Sequence, residues 1–338
     1  MGQGNVTIET IAKACGVSCG TVSRALSRPE MVSPKTREKI LAAVREYHYI
    51  PNPVARAMSG SRGKTISIIV PDIEFSYQSE LIRGCSEELY KHGYTLLVLD
   101  NSIYHRRTTD YISVLKQQIC DGVIFCFEND GQSMRVIPPG LPMVSFEFPA
   151  EQEYAHSVLT DLDYACGELV SFLHVLNGHD KIGLVPGRNG DYITQQVVLH
   201  YRGALEKQGL PVREDYIYYC DWTLQHGYET IRYFQSIPDP PTCIIYYSDS
   251  LAQGALAACH EYRVQVPEEL SIVTMDGARA NRYLVPSVTT LNYDVADIGR
   301  VVANMMVSAL NCQATYLNPY SIRASGIRTG GSVRNLRA

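Results

Sequence analysis

Three helix starts and one glycine stop fall within the first fifty residues, and together they restrict that segment to a small set of folds. The run is VTIETIAKACGVSCGTVSRALSRPEMVSPKTREKILAAVREYHYIPNP. Thr7 stands before Ile8, the spacing puts Ile11, Ala12 and Cys15 on one face, and Gly16 takes the position just past the helix, where a left-handed backbone favours glycine. After the Gly16-Val17 turn, Ser18 caps a second helix with Val22, Ala25 and Leu26 inward. Ser33 caps a third, Pro34 fills its first position, and Ile40, Leu41 and Val44 form its buried stripe. Two short helices joined by a tight turn, with a third completing the core, predict a helix-turn-helix head over residues 1–50.

A head of this kind lays its second helix in the major groove of DNA. With Val22, Ala25 and Leu26 facing the core, Cys19, Gly20, Ser23 and Arg24 project outward. Arg24 is the candidate for direct base readout, because its fork matches the O6 and N7 acceptors of guanine; a solvated surface arginine is the alternative. Thr7, Ser18, Thr21 and Ser23 offer short hydroxyls to phosphate oxygens, and Ser33 joins them as a further candidate at a helix start. Gly20 costs a helix about 1 kcal/mol relative to alanine, which suits a point of close approach.

The next stretch, YIPNPVARAMSGSRGK, holds a cap (Asn52), a first-position proline (Pro53) and one or two turns of helix-forming residues, Val54 to Met58. Such a helix is too short to persist alone and forms only on a partner. Met58 is the apolar wedge for the minor groove, and Val54 and Ala55 lie on the same short helix. A plain linker is the rival reading for residues 51–63.

Charge divides the chain in the same way. Residues 1–62 carry a net +5 and the remainder −10, a basic head on an acidic body, as suits a protein that holds phosphate at one end. Ten cysteines scattered from Cys15 to Cys312, with no export signal and no ligand spacing beside histidines, predict reduced thiols, no metal and a cytoplasmic protein. No apolar run reaches eighteen residues, so no membrane span is expected. The chain shows no G-x-S-x-G, phosphate-loop or H-E-x-x-H motif, which argues against an enzyme, and no cofactor is called for.

From Thr65 short apolar runs alternate with amphipathic helices. TISIIVP, YTLLVLD, DGVIFCF and LPMVSFEF predict buried strands separated by helices near Tyr77–His92 and His105–Ile119. A second series follows: strands at KIGLVPG, DYIYYCD, TCIIYYS and LSIVTMD, with helices near Tyr164–Leu176, Gln195–Gln208, Gln225–Gln235 and Ser250–Tyr262. Two parallel α/β lobes imply a cleft between them, and ligands in open α/β sheets sit beyond the carboxyl ends of the strands. The candidates there are Asp72, Phe75, Tyr77, Asn101, Glu128 and Phe146 in one lobe and Arg188, Trp222, Asp249 and Asp276 in the other. Carboxylates suit paired hydroxyls and aromatic rings suit a sugar or nucleoside face. Core packing for the aromatics and helix capping for Asp249 and Asp276 are the rival roles.

The segments VTIETIAKACGVSCGTVSRALS, VSPKTREKI and YIPNPVARAM resemble the DNA-binding head of the lactose-repressor (LacI/GalR) family in order and spacing. The resemblance implies base reading at Cys19, Gly20 and Arg24, phosphate contacts at Ser18, Thr21 and Ser23, and a minor-groove lever at Met58. VPDI, NGHDKIGLVPG, DWTLQHGYETI, YYSDSLAQGALAA, VPEELSIVTMD and PSVTTLN extend it to a body similar to periplasmic sugar-binding proteins. It implies chain crossings near Asp161, Asn292 and Ile322–Ser325, hence lobes of 64–161 plus 293–322 and 162–292 plus 323–338. The expected fold is an all-α helix-turn-helix head with a body of two doubly wound parallel sheets. The expected function is a repressor on a pseudo-palindromic double-stranded DNA operator, a homodimer using Ser79, Leu81, Ile82 and Cys85 among its contacts, and controlled by a small-molecule effector, a sugar or sugar derivative. A nucleoside- or purine-responsive regulator, and then a transport binding protein, are the alternatives. The family's effector-binding arginine run R-x-x-G-[FYW] is replaced here, with Val197 and His200 at its arginine and glycine positions, and Ser248-Asp249 stands for an asparagine-aspartate pair.

Overall fold

The computed structural model describes residues 6–27, 29–47, 49, 63–104, 115, 120–126, 140–150, 155–311 and 319–337. Asn52, Val54, Ala55, Met58 and Glu128, and the helix expected near His105–Ile119 apart from Leu115, lie outside them. Two compact units emerge, residues 1–64 with 118–120 and the remainder.

In the first unit the helices are α1 (Ile8–Cys15), α2 (Cys19–Ser27) and α3 (Pro34–Glu46). Gly16 ends α1 at φ +62°, the left-handed geometry expected of it. Ser18 Oγ accepts from the Thr21 amide at 3.1 Å and Ser33 Oγ from the Thr36 amide at 3.3 Å, so both caps form. Ile11, Ala12, Cys15, Val22, Ala25, Ile40, Ala43 and Tyr49 make the core. The stripe on α3 differs from expectation: Ile40 and Ala43 are buried with Val44 beside them, while Leu41 is only half-buried. One residue step turns a helix by about 100°, which carries Leu41 off the face that positions three and four apart share.

The second unit holds two sheets. The first contains β1 (Thr65–Val70), β2 (Thr95–Asp100), β3 (Gly122–Phe125), β4 (Met143–Phe146), β5 (Ala155–Thr160) and β10 (Tyr320–Ile322), all parallel, in the order β10-β5-β4-β3-β1-β2. The second contains β6 (Ile182–Val185), β7 (Cys243–Tyr246), β8 (Ser271–Thr274), β9 (Thr289–Leu291) and β11 (Ile327–Arg328), in the order β11-β9-β8-β7-β6, with β11 alone antiparallel. Helices α4 (Ser76–Lys91), α5 (Leu162–Ser171), α6 (Tyr192–Lys207), α7 (Leu224–Ser236), α8 (Asp249–Tyr262) and α9 (Val295–Leu310) cover the faces. Burial on both faces is why central strands such as β3 (GVIF) and β7 (CIIY) are unbroken apolar runs rather than alternating ones. DYIYYCD, expected as a strand, instead starts with a 3₁₀ turn (Glu214–Tyr216) and meets β6 through a single bridge from Ile217 to Leu184.

Helix α9 was not among the expected helices, and it changes the reading of α4. Leu81 and Cys85, expected at a dimer surface, are fully buried in the core that α4, α9 and the first sheet share. Gly84 sets the spacing of the two helices, since a Cβ there would lie 1.9 Å from the Ala296 carbonyl oxygen. The second lobe repeats the device, with Gly254 of α8 against the Leu224 carbonyl of α7 at the same 1.9 Å. The chain passes between the sheets after β5, after β9 and after β10. The passages are stitched together: the Asp161 amide donates to the Ile322 carbonyl at 2.7 Å, the Asn292 amide to the Gly326 carbonyl at 2.8 Å, and Arg323 Nη2 to Asp161 Oδ2 at 2.6 Å.

Candidate functional site

On the head, the surface of α2 carries the candidate DNA contacts. Gly20 and Arg24 are exposed, and Cys19, Thr21 and Ser23 are half-buried. Arg24 Nε donates to the Gly20 carbonyl oxygen at 3.0 Å, which folds the guanidinium back along its own helix. A Cβ at Gly20 would meet only Arg24 Nη2 at 3.7 Å and Ser18 Oγ at 3.8 Å. These are ordinary contacts, so nothing within the described head demands glycine there. Ser18 Oγ shares a hydrogen bond with Thr21 Oγ1 at 2.9 Å, and Ser33 Oγ one with Thr36 Oγ1 at 2.8 Å. Thr7 exchanges a contact with Thr10, whose Oγ1 accepts from the Thr7 amide at 3.3 Å. The cap hydroxyls are thus built into the helix starts they precede. Lys13, Lys35, Arg37, Lys39 and Arg45 add exposed positive charge.

In the body, a cavity of about 830 Å³ opens between the two sheets at the carboxyl ends of their strands. Topology explains the location. In the first sheet β1 lies between β2 and β3, so the connections leaving β1 and β3 run to opposite sides and open a crevice. Of the predicted ligand positions, Asp72, Phe75, Tyr77, Asn101, Phe146, Arg188, Trp222 and Asp276 all line this cavity. Asp72 Oδ1 accepts from the Glu74 amide at 2.8 Å, which shapes the turn leading to Phe75. Tyr77 stacks on Phe146, ring centres 6.4 Å apart and planes 11° from parallel. Trp222 Nε1 donates to the Pro186 carbonyl at 3.3 Å, and Arg188 Nε to Asp221 Oδ1 at 2.7 Å.

Asp249 is placed differently. Its carboxylate is buried and accepts from the Ala278 amide at 2.8 Å and from Asn281 Nδ2 at 2.6 Å, tying the loop after β8 to the start of α8. Ser248 Oγ, accepting from the Leu251 amide at 3.4 Å, is the cap of that helix. Through this loop Asp249 positions Asp276, whose Oδ2 accepts from the Asp249 amide at 3.0 Å. Val197 is fully buried in the core of the second lobe, and His200 lies 3.7 Å from Asp163 at the protein surface.

The sequence reading missed Glu147, which lines the cavity beside Phe146. Its backbone is left-handed at φ +70°, a conformation uncommon outside glycine, and its amide donates to the Val158 carbonyl at 2.9 Å. The carboxylate accepts from Thr160 Oγ1 and, across from the other sheet, from the Tyr247 hydroxyl at 3.3 Å. Burial pushes the Glu147 carboxyl up to about 7, with those two hydrogen bonds opposing the rise. Burial, and then the neighbouring Asp249, push Asp276 well above the carboxylate range. The signal was present as the one charged residue in the segment LPMVSFEF, directly after β4. Among the described residues no cluster of metal-ligating side chains occurs, and no helix is long and apolar enough to cross a membrane.

Comparison with known proteins agrees with both halves. Residues 7–52 match the family described as bacterial regulatory proteins, lacI family, and residues 173–333 match a periplasmic binding protein-like domain. The transcriptional repressor PurR of Actinobacillus pleuropneumoniae serotype 3 is 26% identical over 318 residues, covering 94% of both chains. Among solved structures, the lac repressor dimer bound to operator and the anti-inducer ONPF superposes with a TM-score of 0.83 at 21% identity, covering 98% of this chain and 100% of that one. The regulator CelR in complex with cellobiose gives 0.69 at 23% identity, covering 97% and 99%. The transcriptional repressor CytR of Escherichia coli strain K12 is 30% identical over 312 residues, 91% of this chain and 90% of its own. Identity at that level along nine-tenths of its length places this chain in the lacI family of bacterial regulatory proteins.

Proposed function

We propose that the chain is a cytoplasmic, sequence-specific DNA-binding repressor that acts without catalytic turnover. It reads a pseudo-palindromic operator as a homodimer and is controlled by a sugar or sugar derivative held between the lobes of its body. The observation that carries this reading is the exposed face of α2, where Arg24 and Gly20 stand on a helix whose start is capped by Ser18. Relatives named PurR and CytR are transcriptional repressors, and the solved lac repressor is an operator-bound dimer. We assign residues 1–50 to the head, 51–63 with Asn52, Val54, Ala55 and Met58 to a DNA-contacting hinge, 64–161 plus 293–322 to one lobe and 162–292 plus 323–338 to the other. Ligand binding favours one arrangement of the lobes, which either matches or opposes the one the operator favours. The coupling is the difference in ligand affinity between the two.

Mobility shift on an operator selected from random DNA tests the head. Arg24→Ala costs about 1 to 3 kcal/mol on the selected site and spares non-specific DNA. A uniform loss across all sequences makes Arg24 a phosphate contact instead. A nucleoside or purine effector is the second reading, favoured by the flat faces of Phe75 and Trp222 on the cavity wall.

A further inference from the structure

The wall of the cavity carries an excess of acid. Asp72, Glu147, Asp191, Asp221 and Asp276 all belong to it, and among the described lining residues Arg188 is the one cation. Arg188 is already held by Asp221 at 2.7 Å. Five carboxyl groups therefore face one guanidinium, in a space whose other walls include the rings of Phe75, Phe148, Tyr192 and Trp222, and burial makes two of the five, Glu147 and Asp276, hold protons until a cation arrives. Low-dielectric walls of this kind strengthen the interaction of these groups with a charge brought among them, so a cation ionises the buried acids and is held by them, while an anion finds no free countercharge. Aromatic faces add to the attraction for a cation.

A second observation points to a ligand independently of charge. Asn101 and Gln78 also line the cavity, only 2% and 8% exposed. Asn101 Nδ2 and Gln78 Oε1 have no hydrogen-bond partner among the described residues. One lacks an acceptor and the other a donor, and leaving such groups unpaired when buried is costly. A ligand that offers both an acceptor and a donor supplies what they lack.

We infer that the effector is an organic cation: a small molecule bearing a protonated amine, with hydroxyl or amide groups on the remainder, of which an amino sugar is the model. Its ammonium sits between the carboxylates of Glu147, from one lobe, and Asp276, from the other. Its polar remainder pairs with Asn101 and Gln78. Sugar phosphates and other anions are disfavoured, because Arg188, the one cation among the described lining residues, is already held by Asp221. The inference rests on the reading of the cavity as the effector site and goes beyond it by fixing the ligand's charge.

The test is a thermal-shift screen of the full chain at pH 7.5 against a library of small metabolites sorted into cations, neutral molecules and anions, followed by calorimetry on the best hit. Stabilising hits are expected among the cations, and acetylating the amine of the best one should weaken binding by about tenfold or more. Glu147→Gln and Asp276→Asn should each erase most of that difference between amine and acetylated analogue. Either variant alone suffices if the other fails to fold. Hits confined to neutral or anionic molecules, or equal binding of amine and acetylated analogue, overturn the inference and leave ligand control standing. An absence of hits in every class overturns both.

Discussion

Glu147 concentrates several costs in one residue: a left-handed backbone, a carboxyl removed from water, and described hydrogen-bond partners that are both neutral hydroxyls, Thr160 and Tyr247. Its folded-state value of about 7 lies above the ordinary carboxylate value, so the native state holds a proton that the unfolded chain has released. Stability from this group is complete below about pH 4.5 and is lost as pH rises through about 7, a span worth on the order of 3 kcal/mol. Asp276, shifted in the same direction, adds to the trend. Glu147→Gln should therefore raise the unfolding midpoint of the unliganded protein at pH 8 and change it little at pH 5, measured by denaturant titration at both. Equal effects at the two pH values would mean that the carboxyl is ionised throughout. At this scale the sequence was most legible where chemistry is local. Ser18, Ser33 and Gly16 sit where cap rules put them, because a cap is decided within four residues. Glu147 and Asp249 were not, because their roles depend on Tyr247 and Asn281, distant in sequence and brought close only by the fold.

Among the elements, the two pairs of helices in closest contact are each set by a glycine packed on a neighbour's carbonyl. Gly84→Ala drives a methyl against the Ala296 carbonyl, and Gly254→Ala does the same at Leu224. Neither obstacle is a flexible side chain. Each substitution should cost about 2 kcal/mol or more in an equilibrium unfolding experiment, above what removing a helix glycine usually gains. Ser33→Ala, by contrast, loses one cap and should cost the head about 1 kcal/mol, read from its own thermal transition. The strands dominated by Ile, Val, Leu and Phe were legible, and so were most helices with a clear polar face, whereas β5 (AHSVLT), broken by His156 and Ser157, was not. Helix α9 was overlooked although its period is clear: Asp297, Arg300 and Asn304 share one polar face, while ten buried positions, including Val302, Ala303, Met305 and Met306, fill the rest. The short strands β9, β10 and β11 have two or three residues each, and their pairing partners, not their sequence, make them strands.

For the whole molecule, the decisive fact is that neither sheet is built from one continuous stretch of chain. β10 completes the first sheet from beyond residue 319, and β11 completes the second a few residues later. A chain ending at Leu310 loses one strand from each sheet and every stitch made by residues 322–326. It should lose the cooperative transition of the body, seen by calorimetry, while the circular dichroism of the head persists. Two lobes and a cleft were legible from the repeated strand–helix series, whereas the stitching between passages was not, because it rests on backbone groups that any sequence possesses and on an ion pair, Arg323 with Asp161, whose members are far apart in sequence.

The same discontinuity has a consequence for synthesis on the ribosome. The head, whose core closes at Tyr49, has all its parts long before β10 has been made. For most of translation, then, a nascent chain carries a finished DNA-reading module in front of a sensor that cannot yet be assembled. Order of emergence makes the reader of DNA the first part to mature and its control the last.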